Sequence, residues 1–503
     1  MILPTNNSSK SFIISVFHTV LSFSFLWSLQ LSGQSLTNKT KSSYPNIVYI
    51  LADDLGIGDL GCYGQKTIKT PNIDKLAAQG ILFSNHYSGS TVCAPSRSVL
   101  MTGLHTGHTA IRDNRGGVGI EGGEGQVPMD ANSLTIAEVL KQKGYATGAF
   151  GKWGLGFIGT TGDPNKQGFD EFFGYNCQAI AHRFYPEYLW HNDKKVFLPG
   201  NDWTNTVTYA ADVIHNKALE FIEKNAKSHF FLYYPSTIPH AELIVPNDEI
   251  LKRHLGKYVE VPFTIEKARK GAAYGPDIDI KGYCPQENPK ATYAAMVERL
   301  DKHVGEVMAK LKALGIEKNT LIMFSSDNGV HQEGGMDPEF FDSNSFYRGS
   351  KRDMYEGGIK TPMVAMWPDK IKAGSITNHI SAFWDVFPTI SEIVKGSSQK
   401  KVDGLSFLPT LAGGKMQKTH DYLYWEFHAM NGKQAIRQGK WKAVRLNVLI
   451  KAKAITELYN LEEDPSETIN LAAKYPEKVR EMELLMDKSH TESQLFPFYT
   501  EIK

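Results

Sequence analysis

Near its start the chain carries the run Asn46–Ala52 (NIVYILA), short, β-branched and aromatic, which ends abruptly at Asp53-Asp54 and a glycine-bearing turn. Such a run reads as a buried strand. A second, residues 320–324 (TLIMF), leads through Ser325-Ser326 to Asp327-Asn328-Gly329. Residues 145–150, 230–234 and 361–367 are further strand candidates, and helical patterns lie between them. The clearest helix covers 291–314, with Val297, Leu300, Val304, Val307, Met308 and Leu311 on one stripe. Strands alternating with helices predict an α/β fold: a mostly parallel sheet flanked by helices.

That architecture has a functional consequence, because ligands of open α/β sheets gather at the C-terminal ends of the strands. Asp53-Asp54, Lys152, His240 and Asp327-Asn328 all follow candidate strands, so they are candidates to converge there. Residues 252–289 are polar, with several Gly and Pro, and read as a long insertion or lid. After about Gly413 the pattern changes: 422–427 and 440–446 suggest antiparallel strands, followed by a Glu/Lys-rich helix over 477–488. The expected organisation is a catalytic domain over 44–413 and a small α+β subdomain over 414–503.

At 503 residues the chain is long enough for this pair. A formal net charge of +1 gives no global field to recruit nucleic acid or an anionic membrane. Lys10 is the only charge before an apolar stretch over 12–31, and Gly33 and Ser35 follow as small residues. Residues 1–35 therefore read as a signal peptide of an exported, periplasmic or secreted protein. A transmembrane anchor is the alternative, since the stretch is nearly long enough to span a bilayer. No later segment is apolar enough to cross, so no stable membrane anchor is expected. The four cysteines, Cys62, Cys93, Cys177 and Cys284, lack any CxxC pair, which argues against zinc. They allow at most one disulfide if one of them is consumed in catalysis.

Asp53, Asp54, Asp327 and Asn328 offer only oxygen ligands, a set that suits Ca²⁺ or Mg²⁺. Each pair also suits a solvated turn. Cys93 lies in TVCAPSRSVLMTG, where Pro95 suits a first helical turn and Gly103 its end. Cys93 is then at a helix N-terminus, where free N–H groups favour anions, with Arg97 one turn along. A small buried cysteine before a helix is the plainer reading.

Taken in order, Cys93-x-Pro95-Ser96-Arg97, the early Asp-Asp, Gly151-Lys152-Trp153 and the later Asp-Asn-Gly resemble the type I sulfatases of the alkaline phosphatase superfamily. The resemblance extends to Gln167-Gly168-Phe169-Asp170, Tyr355-Glu356-Gly357-Gly358, and Glu457-Leu458-Tyr459-Asn460-Leu461 with Asp464-Pro465. It implies an alkaline-phosphatase-like sheet with a C-terminal antiparallel sheet. It also implies that a maturation enzyme oxidises Cys93 to formylglycine, whose hydrate attacks sulfur with one hydroxyl and expels sulfate with the help of the other. By the same resemblance Asp53, Asp54, Asp327 and Asn328 hold Ca²⁺ in preference to Mg²⁺. Arg97, Lys152 and Lys351 serve the nucleophile and the sulfate, and His240 protonates the departing alcohol.

The chain departs from the family in one place. Many members have histidine two residues after the first lysine, where this chain has Gly154. That histidine is assigned the base for sulfate release, and His331, just beyond Asp-Asn-Gly, is a candidate replacement, with His108 the other. The aromatic and basic stretch 178–190 (QAIAHRFYPEYLW) suggests a sugar-lined pocket, with His182 and Arg183 as contacts. A packed surface loop is the alternative. Arg112 and Arg352 are further candidate contacts. The expected function is hydrolysis of sulfate esters of glycans. The alternatives are a phosphonate or phosphate monoester hydrolase of the same superfamily and a catalytically idle glycan-binding relative.

Overall fold

The structure, a computed structural model, describes residues 44–116, 124–203, 205–264, 283–396, 401–414 and 416–498. The expected signal peptide and residues 265–282 of the expected lid lie outside the described residues. In chain order the strands are β1 (Asn46–Ala52), β2 (Ile81–Phe83), β3 (His86–Tyr87), β4 (Ala146–Lys152), β5 (Glu171–Tyr175), β6 (Tyr188–His191), β7 (Lys194–Phe197) and β8 (Phe230–Pro235). They continue with β9 (Thr320–Ser326), β10 (Met363–Met366), β11 (Ser375–Thr377), β12 (Ser381–Ala382), β13 (Leu423–Phe427), β14 (Lys433–Gln438), β15 (Trp441–Leu446) and β16 (Ile455–Asn460).

All of β1 is buried because it sits in mid-sheet, parallel to β8 on one side and β9 on the other. Its side chains alternate between two cores: Val48, Ile50 and Ala52 enter one, while Ile47, Tyr49 and Leu51 enter the other. The sheet has ten strands in the order β11-β2-β10-β9-β1-β8-β4-β5-β6-β7. Only β10 and β6 run against the rest, so the mostly parallel sheet is as expected. One face is covered by helices Pro71–Ala78, Ala210–Asn225 and Pro289–Ala313, the last burying Val297, Leu300, Val304, Val307 and Leu311. Met308, expected on that stripe, is only partly buried. Helices Cys93–Thr102, Ile136–Gln142 and Val386–Ile393 cover the other face.

Strands β13 to β16 form a separate four-stranded antiparallel sheet. Trp425, Phe427, Ala435 and Val444 pack into the second core, while Tyr424, Ile436 and Leu458 face Met482 and Met486 of helix Pro476–Ser489. Two of the sequence runs that carry the resemblance meet at this junction. Tyr355 Oη and Tyr459 Oη both donate to Glu457 Oε2, at 2.6 and 2.8 Å, and buried Lys442 bridges Glu356 and Glu467 at 2.9 and 3.0 Å. All four cysteines are free thiols. Among the described residues no helix is long and apolar enough to cross a membrane.

Candidate active site

Strand register places the first acids side by side. Ala52 pairs with Ser326, Asp327 N–H donates to Ala52 O at 3.1 Å, and Asp54 N–H donates to Asp327 Oδ1 at 3.1 Å. Asp54 has φ 65°, a strained backbone for a non-glycine residue and one that often marks a functional turn. Lys152 ends β4 in the same layer. The residue before it must be glycine: Gly151 has φ 138°, and a Cβ there would lie 1.9 Å from Pro235 O of the neighbouring strand. His240 follows β8. Cys93 opens helix Cys93–Thr102, which Gly103 ends in the left-handed conformation with its N–H on Val99 O at 2.9 Å.

These elements bring the predicted cluster together. Cys93 Sγ is fully buried, 3.4 Å from Asp53 Oδ1 and 3.8 Å from Asp54 Oδ1. Lys152 Nζ donates to Asp53 Oδ2 at 2.9 Å, and Lys351 Nζ to Asp54 Oδ2 at 2.6 Å. Arg97 donates from Nε and Nη2 to Asp327 Oδ2 at 3.0 and 2.7 Å, and from Nη1 to the carbonyl of Lys152. His240 Nδ1 meets its neighbour's carbonyl at Ala241, so Nε2 faces the cluster, 2.9 Å from Lys351 Nζ and 3.2 Å from Asp54 Oδ2. Burial drives the Cys93 thiol well above its ordinary pKa, so as an unmodified cysteine it is a poor source of thiolate.

The residues present fit a hard divalent cation. Asp53, Asp54 and Asp327 are each 0% exposed and lie against one another, and Lys152, Lys351 and Arg97 offset only part of their repulsion. Burial and the nearby Asp53 push Asp327 up to about 7 in spite of Arg97. Asn328 Nδ2 donates to Asp54 Oδ1 at 2.7 Å and to Gly329 O at 2.8 Å, which leaves Asn328 Oδ1 buried with no hydrogen-bond partner. An orphaned amide oxygen beside three carboxylates is an all-oxygen donor set of the kind Ca²⁺ takes.

A sulfatase family profile matches residues 45–397, and the profile of the N-sulphoglucosamine sulphohydrolase C-terminal region matches residues 345–492. The chain belongs to the sulfatase family. It is therefore a sulfuric ester hydrolase with the alkaline-phosphatase-like fold. It is 29% identical to an N-acetylgalactosamine-6-O-sulfatase of Bacteroides thetaiotaomicron, over 90% of this chain and 94% of that one. Against the N-acetylgalactosamine-6-sulfatase of Homo sapiens it is 31% identical, over 76% and 68%. The crystal structure of Ps i-CgsB in complex with k-i-k-neocarrahexaose superposes with a TM-score of 0.72 at 28% identity, covering 88% of this chain and 92% of that one.

Not every sequence candidate of the sulfatase reaches the cluster. His331 is fully buried with both ring nitrogens on backbone: Nε2 lies 3.1 Å from Pro239 O, and Nδ1 accepts Glu333 N–H at 3.1 Å. It sits behind His240, ring centroids 5.8 Å apart, and has no free nitrogen to act as a base. His108 is instead paired with Asp403 at 2.9 Å. Arg183 is 0% exposed and paired with Glu242 at 2.7 Å, so it is not presented as a substrate contact. Arg352 stands at the rim beside Lys351, 41% exposed at its side chain, with its guanidinium on Glu333. His182 reaches the cluster and stacks on His240 at 4.8 Å and 12°.

Arg112 is also drawn away, because its Nη1 donates to Glu426 Oε1 at 2.7 Å and to Thr491 O at 2.6 Å. Burial alone would raise Glu426, but His428, His490 and Arg112 hold it at about 2. A carboxyl depressed in the folded state adds stability above its unfolded pKa of about 4.5, and that stability is lost as pH falls toward 2. Glu426→Gln should therefore lower the melting temperature at pH 7, and the gap from the parent should close between about pH 4.5 and pH 2. Differential scanning fluorimetry across that range checks this; a gap independent of pH counts against it.

The sequence reading missed Glu333. Its carboxyl, which burial alone would raise, is held at about 2 chiefly by Lys351. An acid two residues past His331 was the available signal; its nearness to Lys351 and Arg352 arises only in the fold. Tyr283 was missed too; its ring lies 5.4 Å from His182 and 6.4 Å from His240.

Proposed function

We propose that this sulfatase hydrolyses sulfate esters of glycans with a nucleophile formed from Cys93 and a Ca²⁺ ion held by Asp53, Asp54, Asp327 and Asn328. One observation carries the reading: Cys93 Sγ lies 3.4 Å from Asp53 and 3.8 Å from Asp54, Asp54 also meets the amide of Asn328, whose Oδ1 is buried and unpartnered, and Arg97, Lys152, Lys351 and His240 contact the same two carboxylates. When present, formylglycine at residue 93 supplies the attacking hydroxyl, and the cation lowers that hydroxyl's pKa and offsets charge on the sulfate. The chain's own groups do the rest. Lys152 and Lys351, both buried, are fixed positive charges for the sulfate oxygens, and Arg97 orients residue 93 against Asp327. The four acids Asp53, Asp54, Asp327 and Glu333 match the four bases Arg97, Lys152, Lys351 and Arg352, so a divalent cation leaves the pocket net positive, as an anionic substrate requires.

His240 Nε2 is the atom placed to hold the proton for the departing alcohol. Burial lowers this ring to about 4, and an arriving sulfate anion acts in the opposite direction. His240→Gln should cost roughly 10²- to 10⁴-fold in kcat on sugar sulfates, whose alkoxides leave poorly, and under about tenfold on 4-nitrophenyl sulfate, whose phenolate needs no proton. Equal losses on both would remove His240 from this role.

The glycan part draws on the relatives named for N-acetylgalactosamine sulfate and on the neighbour solved with a neocarrahexaose. Export by residues 1–35 and maturation by a formylglycine-generating enzyme complete the proposal. Its test is sulfate release from galactose and N-acetylgalactosamine sulfated at each hydroxyl in turn, beside 4-nitrophenyl sulfate and the matched phosphate. Activity on the aryl ester alone defeats the glycan reading. A higher kcat/KM on the phosphate would favour the phosphomonoesterase alternative.

A further inference from the structure

The loop after β5 concentrates buried polar atoms that no protein group satisfies. Asn176 Nδ2 and Oδ1, Gln178 Nε2 and Oε1, and His182 Nδ1 are all buried without a hydrogen-bond partner among the described residues. A buried polar group that nothing polar meets is costly, so several on one short loop point to a polar ligand. Asn176 is only 2% exposed.

The loop faces the reaction centre from a defined side. Gly154 N–H donates to Asn176 O at 2.9 Å, so the loop runs beside the segment that carries Lys152. A Cβ at Gly154, where φ is 73°, would lie 2.0 Å from Gln178 Nε2. The carboxamide of Gln178 thus rests over the Cα of residue 154, two positions past Lys152. At the loop's far end His182 stacks on His240, and Tyr283 closes against His182 at 5.4 Å. The wall therefore extends from beside Lys152 to His240, the two groups that flank Cys93. Its chemistry is uncharged. Two carboxamides and a phenol carry no charge, and burial, with His240, Lys152 and Lys351 nearby, keeps the His182 imidazole neutral. Carboxamides donate and accept at once, which suits hydroxyl and acetamido groups, and they offer no countercharge to a carboxylate or a second sulfate.

We propose that Asn176, Gln178 and His182 form the subsite for the sugar ring that bears the scissile sulfate, binding its hydroxyl or acetamido groups and selecting a ring that is otherwise neutral. This rests on the sulfated-glycan reading above.

The test compares the mature wild type with Gln178→Met and Asn176→Leu on the best monosaccharide sulfate of the panel and on 4-nitrophenyl sulfate, with melting temperatures recorded for each. Each variant is expected to lose at least ten times more kcat/KM on the sugar than on the aryl ester. In the wild type, a second sulfate on the same ring is expected to lower kcat/KM at least tenfold. Sugar and aryl activities that fall together, or a disulfated ring that is preferred, would overturn the subsite while leaving the glycan reading intact. A wild type active on no sugar sulfate brings down both.

Discussion

Cys93→Ala is expected to abolish sulfate ester hydrolysis, lowering kcat by roughly 10⁴- to 10⁶-fold, the scale seen when a covalent nucleophile is removed. The side chain is fully buried and small, so the variant should fold with a melting temperature close to the parent's. Cys93→Ser is the sharper experiment. A serine hydroxyl has no second hydroxyl to expel sulfate, so this variant should turn over once and keep the sulfate on residue 93. Intact-peptide mass spectrometry reads all three states: an aldehyde in place of the CH2–SH group in the matured parent, with sulfur and two hydrogens lost and one oxygen gained, nothing added in the alanine variant, and one sulfate on the serine. Full activity from a parent whose residue 93 is unmodified cysteine throughout would end the mechanism. An inactive parent in that state, from a host able to mature sulfatases, would favour the idle glycan-binding alternative.

Removing the cation should have the second-largest effect. Dialysis against EGTA is expected to lower kcat/KM by roughly 10²- to 10³-fold, the scale of losing one preorganised electrostatic contact in an active site. Stability should fall as well, because Asp53, Asp54 and Asp327 are left buried together. An ion held at 100 times its Kd stabilises the fold by about 2.7 kcal/mol. Added Ca²⁺ should restore both activity and melting temperature, with Mg²⁺ less effective because it demands a tighter octahedral shell. Asp327→Asn removes one charge from the set and should weaken the Ca²⁺ dependence of the melting temperature. A chelated enzyme with unchanged activity and unchanged melting temperature would show that the four oxygen donors form only a buried hydrogen-bond network.

Much of the fold was legible because β1, β8 and β9 are buried on both faces and must therefore be continuous apolar runs. The last two strands at one end of the sheet, β6 and β7, were not legible: Tyr188–His191 and Lys194–Phe197 are partly exposed, and their mixed composition resembles a loop. The candidate cluster was legible because Asp53-Asp54, His240 and Asp327-Asn328 follow strands, Lys152 ends one, and Cys93 with Arg97 lies in a contiguous motif that opens a helix. Candidates chosen for residue type alone fared differently. Arg112 and Arg183 are basic side chains in suggestive stretches, yet each is held by a buried carboxylate remote in sequence, Glu426 and Glu242.

The sequence by itself determined the alternating architecture, the acids at the strand ends, the helix that Cys93 opens and the family to which these belong, since each depends on periodicity or on short contiguous motifs. Tertiary structure alone decided which charges face one another. It set Lys351 on Asp54 across 297 positions of sequence, locked both nitrogens of His331 onto backbone, and laid Gln178 over Gly154. Those choices depend on how distant loops pack at one edge of the sheet, and pairing energies between remote side chains leave no periodic trace in the chain.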